Sequence, residues 1–338
     1  MNKKVVISGY YGYDNFGDEA ILAVLIDHLR QMQNDITVLS NNPIKTSRSY
    51  GVKSVKNFDL ISLMVSIFRS DILISGGGSL LQDVSSLRSL LYYSFVIWFA
   101  LKCKKKVIIF AHGIGPLQSD LAKKIVFNLL PRCSLVTVRD LKSQKMLLDK
   151  GIPAKLVSDP VFTVDLPQNK CEGAIGVQLR AYRAVDDAFL FTLAQQVVKF
   201  FGDRKIEIYV FQPSIDLNIC KKFEKMIKTI HPQAFTEVVH SIPNSDMIMM
   251  ISKLEYMIAM RFHAVLVAIK TGVKTLAINY DAKVEQLAYD AMLPLLTISI
   301  EENFEPPFER LLTLKSEDIL EYANTQVFEW KYFDKILK

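Results

Sequence analysis

Tyr256-Met257-Ile258-Ala259-Met260-Arg261-Phe262-His263 passes from an apolar run straight into two basic side chains, and the reading of that transition decides the fold. Apolar residues closed by a polar corner describe a short buried strand over 256–259. An apolar helix is expected over 264–270, stopped by Thr271-Gly272. A second strand, Thr275-Leu276-Ala277-Ile278, then delivers Asn279-Tyr280-Asp281-Ala282-Lys283 to the same sheet edge. In open α/β sheets ligands bind outside the carboxyl ends of strands, where loops and helix N-termini converge. Arg261, His263 and Lys283 are therefore expected to share one crevice. Two fixed cations and one proton carrier suit a small, doubly charged anion whose chemistry needs a proton.

The same alternation extends through the chain. Val5-Val6-Ile7-Ser8 reads as the first strand and opens onto Gly9-Tyr10-Tyr11-Gly12-Tyr13-Asp14-Asn15-Phe16-Gly17-Asp18-Glu19. These glycines match neither GxGxxG nor GxxxxGK[ST], so the dinucleotide fingerprint and the P-loop are both missing. Asp18 and Glu19 suit the positive end of the helix expected over 20–30. Asn15 and Asp18 could equally reach a sugar hydroxyl from the same place. Further strands are expected at 36–40, 71–75, 106–111, 135–138 and 154–157, with an amphipathic helix over 58–69. Their mouths are Gly76-Gly77-Gly78-Ser79, His112-Gly113-Ile114-Gly115-Pro116, Arg139-Asp140 and Ser158-Asp159-Pro160. Three glycines ending in Ser allow a backbone to approach a ligand closely, with N–H groups turned toward an anion. The Arg139-Asp140 pair has two readings, a helix cap with its counter-charge or a contact to ligand.

Residues 166–173 have the composition of a linker, after which strands recur at 174–179, ending at Arg180, and at 206–211. The fold class is thus α/β: two Rossmann-like, doubly wound domains, 1–167 and 173–315, whose polar mouths face each other across a cleft. Runs such as Ile72-Leu73-Ile74 fit strands covered on both faces. A helical tail, 316–338, carries Val327-Phe328-Glu329-Trp330-Lys331-Tyr332-Phe333 and is expected to pack back on the first domain.

Composition narrows the function classes. Half of the 338 residues are hydrophobic and 22% are charged, as in a globular chain. A net charge of +6 favours anionic substrates or an anionic membrane surface, and no nucleic-acid motif appears. Four scattered cysteines without a CxxC pair suggest bystander thiols in a reducing compartment. Asp83, Asp140 and Asp159 lie at three different strand ends, so no metal site is expected. The start of the chain runs at once into a strand without an apolar signal region, which points to a cytoplasmic protein. The most apolar helix, 90–101, is shorter than the ~20 residues a bilayer span needs. It reads best as a core helix. The alternative is a membrane-facing patch beside Lys102 and Lys104-Lys105-Lys106.

Taken in order, Gly9-Tyr10-Tyr11-Gly12 through Asn15-Phe16-Gly17-Asp18-Glu19, Gly76-Gly77-Gly78-Ser79-Leu80-Leu81-Gln82-Asp83, Gly113-Ile114-Gly115-Pro116, Val138-Arg139-Asp140, Asp159-Pro160 and Met260-Arg261-Phe262-His263 form a specific set. It resembles the polysaccharide pyruvyl transferase family, and within it the CsaB-type (cell-surface-anchoring) enzymes. The resemblance implies a GT-B-like fold and no required metal or cofactor. It implies transfer of the enolpyruvyl unit of phosphoenolpyruvate to two hydroxyls of one sugar, giving a pyruvate ketal and phosphate. In the CsaB-type branch the acceptor resembles a β-linked N-acetylmannosamine on a lipid-linked disaccharide, modified in the cytoplasm. Peripheral contact with the inner membrane face is a separate expectation, which the lysines beside helix 90–101 would serve.

The family's Arg-x-His and downstream Lys match Arg261, His263 and Lys283, and its upstream Arg matches Arg139. Arg261 and Lys283 are expected to clamp the donor, with Arg180, Arg139, Gly77, Gly78 and Ser79 as further donor contacts. His263 is the expected proton-transfer group, since an unperturbed pKa of ~6.5 serves acid or base near neutrality. Asp14, Asn15, Asp18 and His112 are expected on the acceptor side. His112 replaces the family's more usual Gln, and Leu179-Arg180-Ala181-Tyr182 replaces Leu-Arg-Pro-Trp, which makes the acceptor less defined than the donor. Two rival classes remain. One is a GT-B nucleotide-sugar glycosyltransferase of cell-surface polysaccharide synthesis, which lacks a convincing acidic residue for a ribose. The other is a two-lobed binding protein, for which the chain shows neither an export signal nor a DNA-binding module.

Overall fold

The computed structural model describes residues 2–84, 86–165, 173–299 and 303–337. The chain forms two compact units, Met1–Thr163 with Val327–Lys338, and Val164–Gln326. The linker expected at 166–173 falls almost wholly outside the described residues.

The first unit alternates β1 (Lys4–Ser8), α1 (Phe16–Gln31), β2 (Asp35–Ser40), α2 (Pro43–Tyr50), β3 (Lys53–Lys56), α3 (Leu60–Arg69), β4 (Ile72–Gly76), α4 (Leu87–Lys102), β5 (Lys106–His112), α5 (Asp120–Leu129), β6 (Leu135–Val138), α6 (Leu141–Leu148) and β7 (Lys155–Leu156). Its seven strands are ordered β3-β2-β1-β4-β5-β6-β7. Every pairing is parallel. The central strands β1, β4 and β5 are buried almost throughout, as expected for a sheet covered on both faces. Polar side chains start several helices by accepting an orphan N–H: Asp59 for α3, Ser86 for α4, Ser119 for α5 and Asp140 for α6.

The second unit continues with β8 (Ile175–Gln178), α7 (Asp187–Phe201), β9 (Ile206–Tyr209), α8 (Pro213–Ile230), β10 (Thr236–Val239), α9 (Asn244–Ser252), β11 (Tyr256–Ala259), α10 (Phe262–Lys270), β12 (Lys274–Asn279), α11 (Ala282–Asp290), β13 (Leu295–Thr297), α12 (Glu305–Thr313) and α13 (Ser316–Thr325). Its sheet is again parallel, in the order β10-β9-β8-β11-β12-β13. In both units the strand order reverses beside the first strand, between β1 and β4 and between β8 and β11. Chains leave these neighbours in opposite directions, and a crevice opens at their carboxyl ends.

The tail expected from 316 divides. Residues 316–325 form α13 within the second unit, and only from Val327 does the chain join the first. There α14 (Lys331–Leu337) follows an aromatic cluster: Phe328 and Phe333 lie 5.5 and 4.9 Å from the ring of Phe110 on β5. Trp330 stacks on His28 at 3.6 Å, and His28 Nε2 bonds Asp334 at 2.9 Å. Burial of such rings, worth ~1.5–3 kcal/mol per side chain, holds the last turn of chain on this unit.

Among the described residues no helix is long and apolar enough to cross a membrane. Residues 90–101 fall within α4, whose Leu90, Tyr93, Val96, Ile97 and Ala100 join the core. Cys103, Cys133 and Cys220 are free thiols, and Cys171 lies outside the described residues.

Candidate active site

At the switch point of the second unit, β11 ends at Ala259 and the chain turns through Met260 into Arg261, the N-cap residue of α10. His263 is therefore in the first turn of α10, half-buried, with its ring edge-on to Phe262 at 5.3 Å. On the neighbouring strand, β12 leads to Tyr280 and to Asp281, whose carboxylate caps α11 by accepting the Lys283 N–H at 2.8 Å. Lys283 is half-buried in the first turn of α11. The structure thus brings Arg261, His263 and Lys283 to the same edge of one sheet, His263 and Lys283 at the positive ends of two adjacent helices.

Arg261, expected to clamp the donor, is engaged inside the protein. Its side chain is 8% exposed and forms a two-pronged ion pair with Asp216, Nε to Oδ2 at 2.7 Å and Nη2 to Oδ1 at 2.9 Å. Nη2 also donates to Gln212 Oε1 at 3.1 Å, and the Arg261 backbone N–H donates to Gln178 Oε1 at 2.7 Å. Asp216 has no exposure at all and accepts the Gln212 N–H at 3.1 Å. This network joins the carboxyl end of β8, the start of α8 and the start of α10. It cancels the Arg261 charge internally and fixes the turn that carries His263. Asp216 and Gln212 escaped the sequence reading because nothing in their spacing marks an interior carboxylate 45 residues from its partner.

Arg180, just beyond β8, crosses this edge. Its backbone N–H donates to Met260 Sδ at 3.3 Å, and its Nη1 donates to the Tyr280 hydroxyl at 3.2 Å. The guanidinium lies 5.2 Å from the Tyr280 ring centre, and Tyr182 meets the same ring edge-on at 5.6 Å. Arg180 Nε is buried with no hydrogen-bond partner among the described residues. A buried cationic donor left unpaired is costly, so this atom favours an anion at the site.

The remaining candidates belong to the first unit. Arg139, placed with the donor contacts on sequence grounds, is instead bound to Asp159, Nη1 to Oδ2 at 2.5 Å, with side chains 6% and 3% exposed. Asp140 caps α6 through the Ser143 N–H at 2.7 Å, which is the structural reading of this dipeptide. Gly77 and Gly78 have φ of +89° and +60°. Their missing side chains are filled from within: a Cβ on Gly77 would meet the Tyr11 hydroxyl at 3.1 Å, and one on Gly78 would meet Asp18 Oδ1 at 2.4 Å. Close packing of Tyr11 and Asp18 accounts for these glycines without a ligand. Ser79 follows them on the same loop.

On the expected acceptor side, Asp14 is exposed and pairs with Lys45 at 2.7 Å. Asn15 is half-buried and donates to the Asp18 carboxylate, and Asp18 is 6% exposed. Glu19 accepts from the Gly12 N–H and the Tyr50 hydroxyl, each at 2.7 Å, and burial pushes its carboxyl above the usual range. His112 has no exposure and lies 3.4 Å from Ser75 Oγ, so it sits beneath the mouth and not on its surface. Asp83, partly exposed, has a structural role: it accepts the Gln118 and Ser119 N–H groups at 2.7 and 2.8 Å, fixing the approach to α5. Among the described residues no group of three or more His, Cys, Asp or Glu is arranged to hold a metal.

The fold is shared with sugar-nucleotide proteins of GT-B architecture. HepE of Anabaena, in complex with UDP and glucose, aligns with 99% of this chain and 98% of its own at 11% identity and a TM-score of 0.64. A glycosyltransferase from Rickettsia africae covers 100% of both chains at 12% identity and a TM-score of 0.63. The UDP-GlcNAc 2-epimerase of Neisseria meningitidis, bound to UDP-GlcNAc, covers 100% of this chain and 94% of its own at 11% identity and a TM-score of 0.58. No curated protein matches the chain significantly. The model of one family does match, over residues 15–282, from the end of the first mouth to the start of α11, which takes in the switch point of the second unit and the Arg261–His263 turn. The chain belongs to the polysaccharide pyruvyl transferase family.

Proposed function

We propose that the protein transfers the enolpyruvyl group of phosphoenolpyruvate to two hydroxyls of one sugar, forming a pyruvate ketal and releasing phosphate. The observation that carries this reading is the edge of the second unit, where His263 and Lys283 open two adjacent helices beside Arg180 with its unpaired buried Nε. A carboxylate and a phosphate on one small molecule need separate cationic contacts, and Lys283, Arg180 and the two helix N-termini supply them. Arg261 serves as a positioning residue, tied to Asp216, that sets the first turn of α10.

His263 delivers a proton to the methylene carbon of the enol, leaving an oxocarbenium at C2. One sugar hydroxyl adds there and loses its proton, phosphate departs with the C2–O bond, and the second hydroxyl closes the ring. The resemblance of the sequence to CsaB-type enzymes points to the acceptor, a β-N-acetylmannosamine on a lipid-linked cell-wall precursor, while the family match itself supports polysaccharide pyruvyl transfer. Asp14 and Asn15 retain enough exposure to meet its hydroxyls.

Incubation with phosphoenolpyruvate and a panel of synthetic lipid-linked disaccharides, read by mass spectrometry, tests the proposal. A product heavier by one ketal, with equimolar phosphate, is expected. The rival nucleotide-sugar reading has only shared fold behind it. Thermal stabilisation by UDP and not by phosphoenolpyruvate would reverse the preference.

A further inference from the structure

The helix α3 is apolar on the side turned away from the protein. Leu63 and Ile67 are buried against the core, while Ile61, Met64, Val65 and Phe68 are 78, 37, 42 and 66% exposed. That spacing of three, four and seven residues puts the four on one outer stripe. Two ring contacts fix α4 beside it in a parallel sense: Phe58, before α3, meets Tyr92 at 5.2 Å, and Lys105, after α4, lies 5.6 Å from the Phe68 ring centre. On its own outer side α4 exposes Leu91 and Trp98, each 41%. Two neighbouring helices of the first unit therefore both turn large apolar side chains to solvent, four of them on one stripe of α3.

Cations border this face at the end where both helices finish. Lys102 lies 5.9 Å from the Trp98 ring centre. Lys104, Lys105 and Lys106 join Lys3 around a depression of about 290 Å³, in whose lining Asp71 is the one acidic residue among those described. We infer that this face is a docking surface for an anionic phospholipid bilayer, with α3 lying in the interface plane and the lysine-lined depression facing lipid phosphates. In-plane helices bind membranes through this combination of an apolar stripe and a basic border. A second copy of the chain is a poorer occupant, because neither α3 nor α4 carries a carboxylate to meet the bordering lysines across a symmetric contact. The inference rests on exposure and charge and is independent of the chemistry proposed above.

Sedimentation of the full chain with vesicles tests it. Binding is expected to vesicles of phosphatidylcholine mixed with phosphatidylglycerol and to be much weaker with phosphatidylcholine alone. Ile61→Gln with Phe68→Gln should reduce partitioning at least ~10-fold by removing two inserting side chains. Lys105→Gln and Lys106→Gln should each reduce binding to the anionic vesicles about 5-fold. Circular dichroism of each variant checks the fold, and phosphate release with a lipid-free acceptor should be unchanged in the Ile61/Phe68 variant. Wild-type protein that stays in the supernatant with anionic vesicles overturns the inference. So does a dimer in solution that Phe68→Gln dissociates, since the face would then be an interface between copies. Loss of transfer with binding intact would strike the enzymatic reading alone.

Discussion

Replacing Asp216 with alanine leaves the Arg261 guanidinium buried and without its counter-charge. Two prongs at 2.7 and 2.9 Å disappear together with the bond to the Gln212 N–H at 3.1 Å. Because Asp216 is fully buried, little water can replace them. Breaking a buried pair from one side costs about 3–5 kcal/mol. For a unit the size of 164–326, each kcal/mol shifts the midpoint by about 2–4 °C, so a fall of about 6–20 °C is expected. Arg261→Met should cost a similar amount, since it strands the carboxylate. Combining Asp216→Leu with Arg261→Met removes both charges, and most of the lost stability should return. The assay is thermal unfolding of the four proteins followed by circular dichroism, alongside phosphoenolpyruvate affinity by calorimetry. The double variant should retain affinity to within about tenfold, because Lys283 and Arg180 remain, while turnover falls as His263 loses its fixed turn. An Arg261→Met protein with an unchanged midpoint and no phosphoenolpyruvate binding would falsify this account and make Arg261 a direct clamp.

Other perturbations probe single contacts. His263→Ala should lower phosphate release by about 10²–10⁴ while leaving donor affinity within a few-fold; retention of most activity would remove His263 from the chemistry. Gly78→Ala combines a φ of +60° with a Cβ only 2.4 Å from Asp18 Oδ1, and should lose at least about 1–3 kcal/mol in urea unfolding. An unaltered midpoint would mean that Asp18 can move aside freely. The carboxyl of Asp83 is held down at about 2, from an ordinary value of 3.8, first by the Gln118 N–H and then by the Ser119 hydroxyl and N–H. A carboxyl lowered in the folded state adds stability that is complete above its ordinary value and is lost as pH falls toward 2. Asp83→Asn should therefore be less stable than wild type by about 1 kcal/mol at pH 7, the low end of the range because the group is open to solvent. The gap should close between about pH 4 and 2, and a constant gap would assign the loss to shape instead of charge.

Local pattern carried much of the architecture. Fully covered central strands read as apolar runs, and the strands at Ile72–Gly76, Lys106–His112 and Tyr256–Ala259 lie where hydrophobicity put them. Edge strands have one neighbour and less to bury, so Lys53–Lys56, with the sequence KSVK, and Leu295–Thr297 gave no usable signal. The helix over 58–69 was legible as a helix, yet its apolar outer face became visible only once Leu63 and Ile67 were seen to face inward.

The sequence by itself determined that Arg261, His263 and Lys283 stand where strands end and helices begin, because that follows from residues next to one another in the chain. Tertiary structure alone decided what their charges are worth. Arg261 meets Asp216 from 45 positions away and Arg139 meets Asp159 from 20, so both guanidinium groups are neutralised inside the protein. Arg180 keeps a buried nitrogen without a partner among the described residues, and His263 is half-buried in the first turn of α10. Periodicity reports which side of an element is buried, but the partner a buried charge finds depends on which elements the fold sets side by side.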